Sequence, residues 1–162
     1  MLMLTKWAHS KVIAVDIREE KFEACRKAGA DSCVDPKDGN TIEHLREISD
    51  GGIDVAIDFV SSKESLETAI KSLNRGGRLV TLGGAGQTFT AHSADILAKE
   101  LVLMGSRYAT KQEVIESLNL CAAGDVWPLV TETVSMEAAE ALHERVEQGL
   151  VIGRAAISIG GK

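Results

Sequence analysis

The sequence predicts an α/β protein built on a doubly wound parallel sheet, and two observations lead to this fold class. Short apolar runs rich in β-branched residues alternate with amphipathic helical patterns from residue 11 to about residue 124. Connections of this kind force parallel pairing of the strands, with right-handed crossovers. In addition, the run at 12–15 is apolar without polar alternation, which is typical of a strand buried on both faces of a parallel sheet.

The strands are predicted as short apolar runs that end at polar or glycine residues. Before the first of them, residues 1–9 fit the end of a helix that has no N-cap in front of it. The predicted strands, in chain order, are 11–16, 30–35, 53–60, 78–82, 101–104, 129–134 and 154–159.

The helices are predicted from apolar residues spaced three or four apart. The first runs from about Glu19 to Ala28. Thr41 is a candidate cap for the second, and Ser61 or Ser62 for the third, which should end at Gly76–Gly77. Residues 87–98 indicate a loop with a short helical turn. The residues expected to face the core are Phe22, Cys25 and Ala28; Ile42, Leu45 and Ile48; Leu66, Ala69, Ile70 and Leu73; Val114, Ile115, Leu118 and Cys121 of a helix over 111–123; and Ala139, Leu142 and Val146 of a helix that starts near Ser135 and ends at Gly149.

Composition excludes several classes of function. The chain has 162 residues, a net charge of −6 and no basic tract, so we expect neither nucleic acid nor an acidic membrane as a partner. No apolar run approaches the roughly 20 residues needed to span a bilayer. The first seven residues are too short and wrongly flanked for a signal peptide, and we therefore expect a cytoplasmic protein.

The cysteines and histidines predict no metal site. Cys25, Cys33 and Cys121 are odd in number and form no C-x-x-C pair, so we expect reduced thiols that pack as small apolar side chains. No pair of the four histidines has the spacing of metal ligands, and no serine-elbow or H-E-x-x-H motif occurs. The residues alone give no catalytic constellation.

Asp16 is the first candidate binding residue because it ends the clearest predicted strand. An acid at the carboxyl end of a parallel strand lies where open α/β sheets bind ligands, and in nucleotide-binding sheets it accepts the ribose hydroxyls of NAD. The alternative is that Asp16 is only the N-cap of the helix that follows.

Other candidates lie at the ends of later strands. Phe59-Val60-Ser61-Ser62 ends the third strand and could pack on an adenine or ribose, or simply cap a helix. The glycines after Leu82 lack the spacing of a phosphate loop; they fit either a close approach of the backbone to a flat ligand or a flexible turn. Gly105-Ser106 ends the fifth strand. Arg154 is a candidate phosphate contact, although a lone arginine is more often a surface charge.

The sequence resembles the C-terminal half of the zinc-containing, medium-chain alcohol dehydrogenases. Each matching piece is weak alone, but their order and spacing together are specific, and they extend over essentially the whole chain. They are Val12-Ile13-Ala14-Val15-Asp16 with Lys21; Ala28-Gly29-Ala30-Asp31; residues 54–60; Gly76-Gly77-Arg78-Leu79-Val80-Thr81-Leu82-Gly83; Lys99-Glu100-Leu101 with Gly105-Ser106; and Glu140-Ala141-Leu142 with Gly149 and Gly153-Arg154-Ala155.

The resemblance implies a Rossmann domain that binds NAD, over residues 1–126, and a tail, 127–162, that in the family packs on a separate catalytic domain. Asp16 would hold the adenosine ribose and would favour NAD over NADP, because an acid there repels a 2′-phosphate. The resemblance implies further that Arg18 lies near the adenine, that Phe59, Val60, Leu82 and Gly83 line the cofactor cleft, that Gly105 and Ser106 lie near the nicotinamide, and that Arg154 lies near the pyrophosphate.

The sequence also departs from the family pattern. The G-x-G-x-x-G loop and the strand before it would precede Met1, as would the catalytic domain with its zinc ligands. We therefore expect no zinc in this chain and no activity without an N-terminal catalytic half. The absent strand is the central one of a Rossmann sheet. The strands at 11–16 and 53–60 are expected either to pair directly or to be bridged by a second chain.

Two functions follow as hypotheses. The first is the cofactor-binding portion of an NAD-dependent alcohol dehydrogenase, which interconverts an alcohol and an aldehyde or ketone. The second is a non-catalytic, nucleotide-binding or oligomerising remnant. In either case, exposed strand edges predict self-association, and the family resemblance implies a homodimer formed through the strand near 101–106.

Overall fold

The structure, a computed structural model, describes residues 9–84 and 86–160, so the helix end predicted at the N-terminus falls outside the described residues apart from His9. The strands are β1 (Ile13–Val15), β2 (Ser32–Val34), β3 (Ile53–Asp58), β4 (Leu73–Thr81), β5 (Val102–Gly105), β6 (Val130–Ser135) and β7 (Arg154–Ser158). The helices are α1 (Phe22–Lys27), α2 (Thr41–Ile48), α3 (Lys63–Ser72), α4 (Ser93–Lys99), α5 (Lys111–Ala123) and α6 (Ala139–Glu147), with 3₁₀ turns at Glu19–Lys21, Pro36–Asp38 and Met136–Ala138.

The alternation of strands and helices confirms the α/β class. β3, β4 and β5 form a sheet in that order, and both pairs of neighbours are parallel. β6 and β7 form a second parallel pair, and β1 pairs with β2. Contacts within the chain divide it into a terminal unit, formed by the residues up to Cys33 and those from Ile115 onward, and a central unit, Val34–Val114. The predicted division at residues 126 and 127 stays a prediction.

The first strand is shorter and less buried than predicted. It covers three residues, and of its apolar neighbourhood only Val12 is buried, while Val15 and Ile17 are exposed. In the described part of the chain β1 and β3 belong to different sheets, so the first alternative, direct pairing, is not observed, and bridging by a second chain stays a prediction. The prediction of a strand buried on both faces is therefore wrong for these residues, since Ile13 and Ala14 are only partly buried and Val15 is exposed.

The core of the central unit lies between β3, β4 and the helices that follow them. Leu66 and Ile70 of α3 pack with Leu73 and Leu79 of β4 and with Leu101, and all five are buried. The predicted apolar stripe of the third helix therefore faces the core as expected.

The junction between α3 and β4 lies earlier in the chain than predicted. The helix ends at Ser72 rather than at Gly76–Gly77, because Leu73 already pairs with Ile53 of β3. The register then jumps, so that Val55 pairs with Arg78, and the residues between form a bulge. Gly76 has a φ of 73° in this bulge, a left-handed conformation that suits glycine.

Of the residues predicted as helix caps, one serine is an N-cap in the structure and the threonine is not. Ser62 caps α3, with a reciprocal pair of 3.1 Å hydrogen bonds to Ser65. Thr41 is not a cap: it is the first residue of α2, and its hydroxyl donates to the carbonyl of Pro36 at 3.2 Å. Asn40 precedes it as the N-cap.

One predicted apolar face is not buried, and a second is buried only in part. No residue of α5 is buried, and Val114, Ile115 and Leu118 are exposed although their spacing predicted a core face. In α6, Leu142 is buried and Val146 is exposed. The reason is that periodicity identifies an apolar face but not the element that covers it. Among the described helices, none is long and apolar enough to cross a membrane.

Candidate functional site

The Asp16 carboxylate follows β1 directly, and both of its oxygens have partners. Oδ1 accepts a hydrogen bond from the main-chain amide of Arg18 at 3.0 Å, and Oδ2 accepts from Lys21 Nζ at 3.1 Å. The side chain is 29% exposed. A carboxylate has about four acceptor positions, so Asp16 can accept further hydrogen bonds from a ligand. The N-cap of the next turn is Arg18, not Asp16, so the capping alternative is wrong in this form.

Arg18 joins the turn after β1 to the loop that follows α6. Its Nε lies 2.7 Å from Glu20 Oε1, and its Nη1 donates to the main-chain carbonyl of Gly149. The hydrogen bond from Arg18 lowers the pKa of the Glu20 carboxyl below its usual value. Gly149 has a φ of 69°, and a Cβ there would collide with the Arg18 guanidinium. These contacts fix the guanidinium beside the terminal unit's own backbone.

Six of the nine predicted site residues lie at one edge of the central sheet. The strands are parallel and in register, with Asp58 opposite Thr81 and Thr81 opposite Gly105, so their carboxyl ends lie side by side. Beyond these positions, Ser106 donates its amide to the Thr81 carbonyl at 3.0 Å. The residues at this carboxyl edge are Phe59 and Val60 after β3, Leu82 and Gly83 after β4, and Gly105 and Ser106 at the end of β5.

Asp58 organises this edge, and sequence reasoning missed it. Its Oδ1 accepts from the amides of Val60 at 2.7 Å and Ser61 at 2.9 Å, and its Oδ2 accepts from Ser65 Oγ at 2.6 Å. The residue is only 8% exposed. The available signal was an acid three residues before a pair of serines, a pattern typical of side chain to backbone hydrogen bonding.

The ends of β3 and β4 are in close contact. The Ser61 and Thr81 hydroxyls are hydrogen-bonded at 2.6 Å, and the Leu82 amide donates to the Asp58 carbonyl at 2.8 Å. A Cβ on Gly83 would lie 2.6 Å from Ser61 Oγ and 2.7 Å from the Val60 carbonyl carbon. Only glycine fits this position without a shift of the neighbouring atoms, which favours an ordered turn over a flexible one.

The carboxyl edge offers an apolar surface beside these polar contacts. Phe59 is 55% exposed and Val60 is 64% exposed, and Leu82 is exposed as well. Ligand sites typically combine such apolar walls with a few fixed polar groups. Within residues 9–84 and 86–160, no group of three or more His, Cys, Asp or Glu side chains could hold a metal ion.

Arg154, the ninth predicted residue, belongs to the terminal unit, as do Asp16 and Arg18. It begins β7, where its amide donates to the Leu129 carbonyl at 2.8 Å, and its side chain is exposed. The three cysteines are free and partly buried. Burial raises the pKa of the Cys25 thiol above its usual value.

Comparison with known proteins identifies relatives of this chain. It is 31% identical over 144 residues to an NAD-dependent alcohol dehydrogenase from Saccharolobus solfataricus, covering 88% of this chain and 42% of that protein. It is also 31% identical over 150 residues to an alcohol dehydrogenase from Geobacillus stearothermophilus, covering 91% and 43%. The crystal structure of the alcohol dehydrogenase from Aeropyrum pernix superposes with a TM-score of 0.86 at 30% identity, covering 95% of this chain and 44% of that one.

These matches confirm the resemblance to the nucleotide-binding half of alcohol dehydrogenases. The chain spans less than half the length of these relatives. A family model described as zinc-binding dehydrogenase matches residues 1–123, which is most of the chain. The chain therefore belongs to the zinc-binding dehydrogenase family.

Proposed function

We propose that this chain binds NAD as the nucleotide-binding part of an alcohol dehydrogenase. The observation that carries the proposal is the Asp16 carboxylate, which stands at the carboxyl end of β1 and is oriented by the Arg18 amide and Lys21. Its free acceptor positions suit the two hydroxyls of a ribose, each of which donates one hydrogen bond. The same negative charge disfavours a 2′-phosphate, so NAD is preferred over NADP.

In the central unit, the family resemblance assigns cofactor contacts to the carboxyl edge of the sheet. Phe59, Val60 and Leu82 form apolar walls for the cofactor, and Gly105 and Ser106 lie toward its nicotinamide. Bound NAD supplies a hydride acceptor. The chain's own residues bind and orient it, and their apolar side chains exclude water from it.

We assign binding of the pyrophosphate to Arg154 rather than to a glycine-rich loop. The 162 residues contain no G-x-G-x-x-G motif. Arg154, which is exposed at the start of β7, supplies a positive charge for this role. We propose that the chain alone does not oxidise alcohols, because the zinc ligands and proton relay belong to the family's catalytic half.

The direct test is a titration with NADH, followed by energy transfer from Trp7 and Trp127 to the nicotinamide. Asp16→Ala should weaken binding about tenfold to a hundredfold, since charge-assisted hydrogen bonds contribute roughly 1.5–3 kcal/mol. Asp95→Asn is a matched control, because it removes an exposed carboxylate in the first turn of α4. NADPH should bind more weakly than NADH. A folded wild-type chain without saturable NADH binding, or equal affinities of wild type and Asp16→Ala, would refute the proposal.

A homodimer through β5 is the proposed assembly. β5 is the last strand in the order β3-β4-β5, and every residue from Val102 to Gly105 is exposed. An open, apolar strand edge favours pairing with another strand. Sedimentation velocity at micromolar concentration should show a dimer that Met104→Lys dissociates, and a monomeric wild type would exclude it. Self-association without NADH binding would favour the alternative function, an oligomerising remnant.

A further inference from the structure

We infer that Asp58 is a positioning residue, whose carboxylate holds the turn after β3 in the conformation that presents Phe59 and Val60 to NAD. The inference rests on the proposed function, since it assigns Asp58 a role in the binding of NAD by the central unit. Asp58 itself is too buried to serve as a ligand: the residue is 8% exposed, whereas the Asp16 side chain is 29% exposed.

The Asp58 carboxylate is stabilised by neutral donors rather than by a cation. Two main-chain amides and the Ser65 hydroxyl donate to it at 2.6–2.9 Å, and no described lysine or arginine forms an ion pair with it. A buried carboxylate without these donors would be costly. These hydrogen bonds hold the donors in place, so the Asp58 side chain fixes the backbone conformation of the turn from Phe59 to Ser61.

The turn that Asp58 holds is not one that its residues favour. Ser61 has a φ of 55°, in the left-handed region that non-glycine residues rarely adopt, and it is buried. Such strain persists where surrounding contacts over-determine it, and it clusters at functional sites. Here the contacts are the hydrogen bond from the Ser61 amide to Asp58 and the hydroxyl pair of Ser61 and Thr81.

The same turn sets the position of the neighbouring strand end. The Asp58 carbonyl accepts from the Leu82 amide, and Gly83 lies against Val60 and Ser61 with no room for a side chain. Phe59 and Val60, between these contacts, keep more than half of their surface in water. Apolar side chains would reduce this exposure if the turn relaxed. The polar contacts therefore preserve an apolar surface that is available to a ligand.

The test compares NADH affinity in variants of the full 162-residue chain, with folding monitored by circular dichroism. Asp58→Ala should raise the Kd for NADH at least tenfold. Asp58→Asn keeps an acceptor for both amides and should restore the Kd to within about fivefold of wild type. Asp54→Asn, which changes an exposed acid of β3 whose carboxylate accepts from the Asn74 side-chain amide, should leave the Kd unchanged.

A purely structural role is tested with Leu79→Ala, which removes a buried core side chain and should lower stability without changing the Kd of the folded protein. If wild type and Asp58→Ala bind NADH equally, or if Leu79→Ala raises the Kd as much as Asp58→Ala, the inference is overturned. Absence of NADH binding by wild type instead refutes the proposed function. If Asp58→Ala does not fold, Ser65→Ala decides: it removes one donor from Asp58 and should raise the Kd about threefold or more, and an unchanged Kd overturns the inference.

Discussion

Replacing Gly83 by alanine tests whether the ends of β3 and β4 are packed as described. The added methyl carbon would lie 2.6 Å from Ser61 Oγ, 2.8 Å from Ser61 Cβ and 2.7 Å from the Val60 carbonyl carbon. The last contact is with backbone, which cannot rotate away as a side chain can. The turn must therefore move apart from β4, and the hydrogen bond from the Leu82 amide to the Asp58 carbonyl is the first to lengthen.

The expected loss of stability follows from three terms. Overpacking costs about 1–3 kcal/mol, and the lengthened hydrogen bond adds about 0.5–1.5 kcal/mol. Gly83 has no left-handed φ, so alanine strains no dihedral and restricts the unfolded chain, which returns roughly 0.4–1 kcal/mol. Gly83→Ala should therefore lower the free energy of unfolding by about 0.5–4 kcal/mol.

Urea unfolding followed by circular dichroism measures this difference. The matched control is Gly84→Ala, because the next glycine is exposed, has no atom within 4 Å of its added Cβ and has no left-handed φ. It should be as stable as wild type or up to about 1 kcal/mol more stable. If Gly83→Ala and Gly84→Ala have the same urea midpoint of unfolding, the ends of β3 and β4 are not in the close contact described.

Three further predictions concern the core and the titrating groups. Leu79→Ala, at a position 2% exposed, should destabilise the chain by about 2–5 kcal/mol, whereas Leu97→Ala, at 81% exposure, should change stability by less than about 0.5 kcal/mol in the same urea assay. The Arg18 side chain lowers the pKa of the Glu20 carboxyl, so this ion pair stabilises the fold at pH values above the usual glutamate pKa. The stabilisation is lost as pH falls through the lowered pKa. An NMR titration should show that the Glu20 titration midpoint rises in Arg18→Gln. The pKa of the Cys25 thiol is raised chiefly by burial, so the buried thiol contributes its full stability below the pKa of the unfolded thiol and loses it as pH rises through the folded-state pKa. Iodoacetamide should therefore modify Cys25 at a higher pH in the folded chain than in urea. Coinciding pH profiles in the two states would contradict this.

Helix α5 shows which part of the fold can be predicted from sequence. Its bounds, Lys111–Ala123, match the prediction because Gly124, with a φ of 82°, ends the helical pattern in a left-handed conformation. Its burial was predicted wrongly, since Val114 and Leu118 mark an apolar face without indicating its partner. Local rules fix where a helix ends, but only tertiary contacts decide which of its faces is covered.

The start of β4 shows where local periodicity predicts the end of a helix wrongly. The spacing of Leu66, Ile70 and Leu73 continues a helical pattern, and the prediction carried the helix on to Gly76–Gly77. In the structure Leu73 pairs with Ile53 in the sheet and is buried there as a strand residue. A non-local pairing overrides local periodicity, and a single sequence does not contain the partner's register.

The candidate site was predictable where the fold itself determines it. Parallel strands place their carboxyl ends at one edge, so identifying the strands was enough to bring Phe59, Leu82 and Gly105 together. Asp58 was not predicted, because its function depends on burial and on partners that lie in three dimensions. An acid in a strand looks from sequence like a less apolar strand, not like the residue that shapes the next turn.

Three strands end in the same local structure, and this distinguishes two functions of an aspartate. Asp16 and Asp35 follow β1 and β2, and Asp58 is the last residue of β3; each carboxylate accepts a hydrogen bond from the main-chain amide two residues later, at 2.7–3.0 Å. A carboxylate at a strand end is therefore first of all a turn-forming group, and its position alone does not make it a ligand of ribose. What separates Asp16 from Asp58 is access to the remaining acceptor positions. Asp16 keeps some of them in solvent, whereas Asp58 uses its own on Ser61 and Ser65. Substituting Asp16 should therefore affect NADH binding more than stability, and substituting Asp58 should affect both.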